Sequence, residues 1–450
     1  MAHVSRFITM GAWCMGFIAL SIARPTAAQD SLPVANISDL ACPNAPPAPK
    51  PPSGRPSAGV SMVGTQMPSD AELGPLARTV IRDQPVLDPS AISGFALGDT
   101  TQPRRIAFWG DSHIAGGPLM PTIIETLRSR GLSVAPRFLP PTMGRANINL
   151  PGLRAYCIGS GWSTEIAYTS ATPIASGPAL MNRMADAGPD SYLWLDLRNA
   201  VRQPNVRQLQ LVYRAPAGAT IGYTINDGEP FSAPLAAASD SQTLTIRSDR
   251  PISTIKLRVT QGKLVLYGLI LDYIQPPTIT FDVFGLPSAT VRGWANADPD
   301  YLAQTLHGVN YDGVVLEYGT NEGAASDFDA DKYAATLTQA LTHLRKVFPS
   351  ISCVLVGPPD RGSLRSGKVR PLPLLAYGHI HQRIEGIQRQ VGNQFGCTVW
   401  SWQDLMGGPG GSYGWAHAQP SMMGRDLIHL SPDGYRRTGR ALAHSLGWGP

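Results

Sequence analysis

This chain predicts an α/β fold: a three-layer α/β/α domain around a parallel sheet, interrupted by an inserted all-β sandwich. Three observations carry that expectation. From residue 278 to the C-terminus, short apolar runs alternate with helix-period segments, the rhythm of a parallel sheet covered on both faces. The same rhythm already opens at Ile106-Ala107-Phe108-Trp109, followed by a helical period at Leu119, Ile123, Ile124 and Leu127. Between these two parts, residues 137–277 hold several short alternating strands and almost no helix.

In chain order, residues 1–28 read as a secretory signal. Arg6 supplies a short basic region, Phe7 to Ala23 is largely apolar, and Thr26-Ala27-Ala28 offers small residues before a cut. No later stretch is long and apolar enough for a membrane span, so no stable span is expected after cleavage. A periplasmic or secreted location follows. Residues 29–57 are a proline-rich linker, densest in the ten residues from Pro43 to Pro52. Cleavage leaves Cys42, Cys157, Cys353 and Cys397, an even number compatible with disulfides whose pairing stays open.

The α/β body is expected to be discontinuous, from 58–136 and 278–450. Its first strand is Arg105 to Trp109, and Gly131 caps the helix that follows. Pro140-Pro141, Pro151 and Gly159-Ser160-Gly161-Trp162 then suggest irregular loops. Alternation takes over at 192–197, 209–213, 220–225, 244–246, 255–259 and 265–271, with a turn signal at Asn226-Asp227-Gly228. The sheet resumes at Thr278 to Phe284. Strands at 314–318, 351–356 and 397–402 alternate with helices at 297–306, 331–348, 374–392 and 433–446. In the second of these helices Tyr333, Leu337, Leu341 and Leu344 share one face.

Three stretches carry chemistry. Gly110-Asp111-Ser112-His113 ends the first strand, so Ser112 stands where open α/β sheets place their ligands. Gly319-Thr320-Asn321-Glu322 ends a second strand and carries an amide. Asp426-Leu427-Ile428-His429 sets a carboxylate and an imidazole three residues apart, just before the helix signal Ser431-Pro432. Together they supply a nucleophile, a base with its orienting carboxylate, and an oxyanion donor. Gly410-Gly411-Ser412-Tyr413-Gly414 also fits Gly-x-Ser-x-Gly, but no strand leads into it. Trp415 and His417 nearby are expected to line the approach. His379 and His381 alternate on a helix and make no metal pair; no cofactor or metal is expected. Thirty-seven basic against thirty-two acidic residues, with no long basic run, give no support for nucleic-acid binding.

In these blocks the chain resembles the SGNH (GDSL-like) hydrolase family, over residues 104–134 and roughly 278–447. Ser112 matches the family's nucleophile, Asn321 its oxyanion Asn, and Asp426 and His429 its Asp-x-x-His. The spellings Gly-Asp-Ser-His and Gly-Thr-Asn-Glu look most like the branch of peptidoglycan O-acetylesterases, which often carries an inserted β-sandwich. The family's third oxyanion donor is a glycine in a block that here reads Gly285-Leu286-Pro287-Ser288-Ala289. It falls on Ser288, whose backbone N–H can still donate, with Gly285 the other option. The resemblance implies a serine esterase that removes O-acetyl groups from a carbohydrate polymer, first of all peptidoglycan. An O-acetyltransferase acting on an exported polysaccharide would use the same residues. A non-catalytic polysaccharide-binding protein is the third reading. In the insert, Tyr192, Trp194, Tyr213 and Tyr223 could stack on sugar rings or simply fill the sheet.

Overall fold

The computed structural model describes residues 65–73, 87–97, 103–199, 202–306, 308–366 and 372–449. The signal and linker segments read above, and Cys42, lie outside the described residues. Six parallel strands form the first sheet: β1 (Arg104–Gly110), β2 (Val134–Ala135), β3 (Ile279–Gly285), β4 (Gly313–Glu317), β5 (Ser352–Val356) and β6 (Cys397–Trp400). Their spatial order is β6-β5-β4-β1-β3-β2. From β1 the chain builds outward in both directions, so the carboxyl end of β1 is the topological switch point where such sheets hold ligands.

Strand periodicity divides the core. Ile106 and Phe108 of β1 face one side with α2 (Leu119–Ser129) and α5 (Pro432–Ser445). Ala107 and Trp109 face the other, with Tyr333, Leu337, Leu341 and Leu344 of α3 (Ala330–Val347) and Ile384 of α4 (Ala376–Gln394). The central strand β4 and the second part of β1 are buried on both faces, which is why they read as unbroken apolar runs rather than alternating ones. Trp109 also joins the two sheets. Its ring stacks on Phe284 at 4.7 Å and meets Trp294 edge-on at 5.1 Å. Its indole N–H donates to the Pro178 carbonyl at 2.7 Å.

The second sheet has ten strands, from Phe138–Leu139 to Thr254–Tyr273, and is antiparallel throughout. Thr254–Tyr273 is a single strand of 20 residues where two are expected. Its first half pairs with Tyr192–Asp196 and Ala219–Ile225, its second with Val206–Arg214 and Met181–Asp186. Polar Thr260, Gln261 and Lys263 around Gly262 look like a loop in sequence. In the fold Gly262, at φ 70°, lets the strand pass from one half of the sandwich to the other against the Gly218 backbone. The segment around Gly159 and Gly161 is likewise not an irregular loop, since strands Ala155–Ile158 and Trp162–Ile166 flank it. Both glycines serve close approach, because a Cβ on either would meet the Asp190 backbone at 2.0 and 2.9 Å. Asn226 and Asp227 both take positive φ, 54° and 55°, the backbone of a tight hairpin turn. Tyr213 is buried, whereas Tyr192, Trp194 and Tyr223 are half-buried.

A disulfide joins Cys353 and Cys397, which face each other as register partners on β5 and β6 with Cα atoms 4.6 Å apart. Where the chain leaves the first sheet for the second, Asp282 of β3 is fully buried. It accepts from the Arg137 and Phe138 N–H groups at 2.7 and 2.9 Å and from the Tyr311 hydroxyl at 2.8 Å. Burial pushes its carboxyl up to about 6, against those three donors. Asp282→Ala would strand two backbone donors and a hydroxyl, each worth about 1–3 kcal/mol when left unsatisfied. We expect it to destabilise the chain by roughly 3–5 kcal/mol, read by urea denaturation. Asp282→Asn, which keeps acceptors in place, should cost less.

Candidate active site

Every polar group of the site comes from a loop at the carboxyl edge of the parallel sheet. β1 ends at Gly110, and Asp111 caps a single helical turn, α1 (Ser112–Ala115), by accepting the His113 N–H at 2.9 Å. The turn presents Ser112 at the switch point. Its Oγ lies 3.0 Å from His429 Nε2. His429 Nδ1 lies 2.8 Å from Asp426 Oδ2. The other Asp426 oxygen accepts the Ile428 and His429 N–H groups at 3.0 and 2.9 Å, which locks this loop ahead of α5. Ser431 caps α5, accepting from Gly434 N at 3.2 Å, with Pro432 first in the helix. The structure thus brings Ser112, His429 and Asp426 into one hydrogen-bonded chain.

Two pKa shifts suit proton transfer. Burial works against both charged forms, but the hydrogen bond and charge of the partner outweigh it. Asp426 is thereby held below the ordinary carboxylate range, and His429 is raised above the ordinary imidazole value. The Nδ1–H of neutral His429 is committed to Asp426, so its Nε2 lone pair faces Ser112.

The expected oxyanion donors lie on three loops, those after β1, β3 and β4. Ser112 N–H and Ser288 N–H have no hydrogen-bond partner among the described residues. Ser288 is exposed and sits at φ 64°, a backbone conformation that favours glycine. Gly285 has a different job. It pairs with Gly110 across β3 and β1, and a Cβ there would meet the Ala115 N at 2.3 Å. Asn321 Nδ2 donates to the Ala289 carbonyl at 2.8 Å and to Asp111 Oδ2 at 3.1 Å. The amide is therefore held between the loop after β1 and the loop after β3. Glu322 ties the latter to the β4 loop, accepting Val291 N at 2.8 Å and Gly319 N at 3.0 Å, and burial pushes it up to about 7.

Glu317 is the residue that sequence reasoning passed over. It ends β4, is fully buried, and accepts the Asp111 N–H at 3.2 Å. Burial raises Asp111 to about 6, and burial together with the Asp111 charge drives Glu317 well above the carboxylate range. Of the two, Glu317 is driven further toward its neutral form, and the charge of Asp111 favours a protonated His429. The signal was present as one carboxylate inside the apolar run Val314-Val315-Leu316.

The other motifs separate from this centre. Ser412 lies in the short helix Gly411–His417 and is fully buried, its N–H donating to Asp360 at 2.9 Å. Trp415 does not line an approach. It is 1% exposed in the core beside α5, with the Arg437 guanidinium 5.9 Å from its ring, because its helix turns that face inward. His417 bonds the Tyr413 carbonyl of its own helix. His379 is exposed and His381 buried, on different sides of α4. No cluster of metal-ligating side chains occurs among the described residues.

Residues 272–437 match the model of the GDSL-like lipase/acylhydrolase family. A solved structure of a peptidoglycan O-acetylesterase is similar to this one with a TM-score of 0.60 at 20% identity, covering 80% of this chain and 94% of that one. A family two carbohydrate esterase from Cellvibrio japonicus aligns at 13% identity over 64% of this chain and 99% of its own, with a TM-score of 0.27. No curated protein matches the sequence. Residues 272–437 are thus similar to the GDSL-like lipase/acylhydrolase family, and the fold, a three-layer α/β/α domain with an all-β insert, is shared with the peptidoglycan O-acetylesterase structure.

Proposed function

We propose that the protein is an extracytoplasmic serine esterase that removes O-acetyl groups from a carbohydrate polymer, most specifically peptidoglycan. The observation that carries this reading is the hydrogen-bonded chain Ser112–His429–Asp426 at the switch point, beside two unpaired backbone N–H groups. His429 takes the Ser112 proton as Oγ attacks the acetyl carbonyl. The N–H groups of Ser112 and Ser288 and the Asn321 amide receive the oxyanion. Collapse expels the sugar hydroxyl, which takes the proton back from His429 and leaves acetyl-Ser112. Water then repeats the cycle, releasing acetate and free Ser112.

The rest of the reading follows from residues and resemblance. Cleavage of residues 1–28 would leave the body, 58–136 with 278–450, outside the cytoplasm, with the linker 29–57 as a spacer ahead of it. No described helix is long and apolar enough to cross a membrane. The insert 137–277 is the part that would bind carbohydrate; on it Phe231 is 48% exposed and stacks on Tyr223 at 5.3 Å.

The test is acetate release from O-acetylated peptidoglycan alongside p-nitrophenyl acetate hydrolysis, each across pH. His429 must be neutral to accept the proton, and its pKa is raised. Activity should therefore fall with decreasing pH, through a midpoint above the ordinary imidazole value of about 6.5. No acetate release from either substrate would sink the esterase reading. Acetyl transfer to an added glycan in preference to water would replace it with the transferase.

A further inference from the structure

We propose that Arg361 is a specificity residue, receiving a carboxylate of an acidic O-acetylated glycan beside the Ser112–His429 centre. The inference deepens the esterase reading and rests on it. Arg361 lies in the loop after β5, on the same sheet edge as Ser112, Asn321 and Ser288. That loop is clamped on both sides of it. The preceding Asp360 is fully buried and accepts from Gly410 N at 3.1 Å, Ser412 N at 2.9 Å and Gln403 Nε2 at 2.8 Å. The following Gly362 donates its N–H to the Leu427 carbonyl at 3.0 Å. Leu427 stands between Asp426 and His429, so this bond ties Arg361 to the loop that carries the imidazole.

The guanidinium itself is half-buried and pre-oriented. Its carbon lies 4.2 Å from the centre of the Tyr377 ring, at the start of α4. Stacking engages the plane of the group and leaves its edge N–H donors, the ones that fork onto carboxylates. No acceptor or carboxylate among the described residues pairs with it, and its Nε is buried without a partner. Burial strips water from this charge, and the one carboxylate whose field supports it, Asp426, is hydrogen-bonded to His429 rather than to the guanidinium, so the edge donors are left for a bound anion. Its field reaches the site, since its positive charge opposes protonation of His429. A neutral acetyl ester has no group for such a donor, whereas a sugar acid does.

The experiment compares wild type, Arg361→Gln and Arg361→Lys on three substrates. These are p-nitrophenyl acetate, O-acetylated polygalacturonate, and the same polymer after amidation of its carboxyls. Wild type should prefer the acidic polymer over the amidated one by about tenfold or more in kcat/KM, the scale of one charge-assisted hydrogen bond. Arg361→Gln should abolish that preference, chiefly by raising KM on the acidic polymer, while changing p-nitrophenyl acetate hydrolysis by less than about threefold. Arg361→Lys, a point charge without the fork, should restore part of the preference. Equal loss on all three substrates, or no preference in wild type, overturns the assignment. If Arg361→Gln does not fold, the wild-type comparison of acidic with amidated polymer still decides it. Wild type that hydrolyses none of the three overturns the esterase reading and this assignment with it. Wild type active on p-nitrophenyl acetate but indifferent to the carboxyls overturns the assignment alone.

Discussion

Ser112→Ala should lower acetyl-ester turnover by about 10⁴–10⁶-fold, and His429→Ala should do nearly the same. Both side chains act on one proton. Ser112 Oγ is a poor nucleophile until His429 Nε2, 3.0 Å away, removes its proton, and without the hydroxyl the base has nothing to activate. The double variant should therefore be no slower than either single one, and this non-additivity separates a shared step from two independent contributions. Neither change should unfold the chain, because neither group belongs to either hydrophobic core. The measurement is kcat for p-nitrophenyl acetate in the three variants, with melting temperatures alongside. Activity within tenfold of wild type in Ser112→Ala would remove Ser112 as nucleophile.

Asn321→Ala should cost about 10²–10³-fold in kcat with little change in KM, as expected for a donor used mainly in the transition state. The resting geometry sharpens this. Both Asn321 amide protons have partners, Ala289 O at 2.8 Å and Asp111 Oδ2 at 3.1 Å, so an oxyanion must share the second, longer bond. Asp111 in turn is held by its N–H, which donates to buried Glu317. Ser288 offers a matching control. Its φ of 64° suits glycine, so Ser288→Gly should keep the N–H, leave kcat within a few-fold, and stabilise the fold by up to about 1 kcal/mol. Ser288→Pro removes the N–H and cannot adopt that φ, and should lower kcat at least as far as Asn321→Ala. Full activity in Ser288→Pro would take that backbone donor out of the oxyanion site.

The fold was largely legible because a doubly buried parallel strand and an amphipathic helix leave distinct periods. Ile106 to Trp109, Val314 to Leu316 and the Tyr333–Leu344 face announce themselves this way. The candidate triad residues could be named because each stands next to a structural signal: Ser112 at a strand end, Asp426 and His429 before a Ser-Pro helix start. Local sequence alone determined these, since strand, turn and cap depend on neighbours a few residues away. What only the tertiary structure decided involves partners far apart in the chain. Cys353 meets Cys397 because β5 and β6 share register. The glycines around residue 160 make room for Asp190. Trp415 turns inward, and Glu317 is driven well above the carboxylate range because it is buried with Asp111, 206 positions away, packed against it. Burial and pairing set the charge state of a carboxylate, and both are properties of the assembled chain rather than of any local segment.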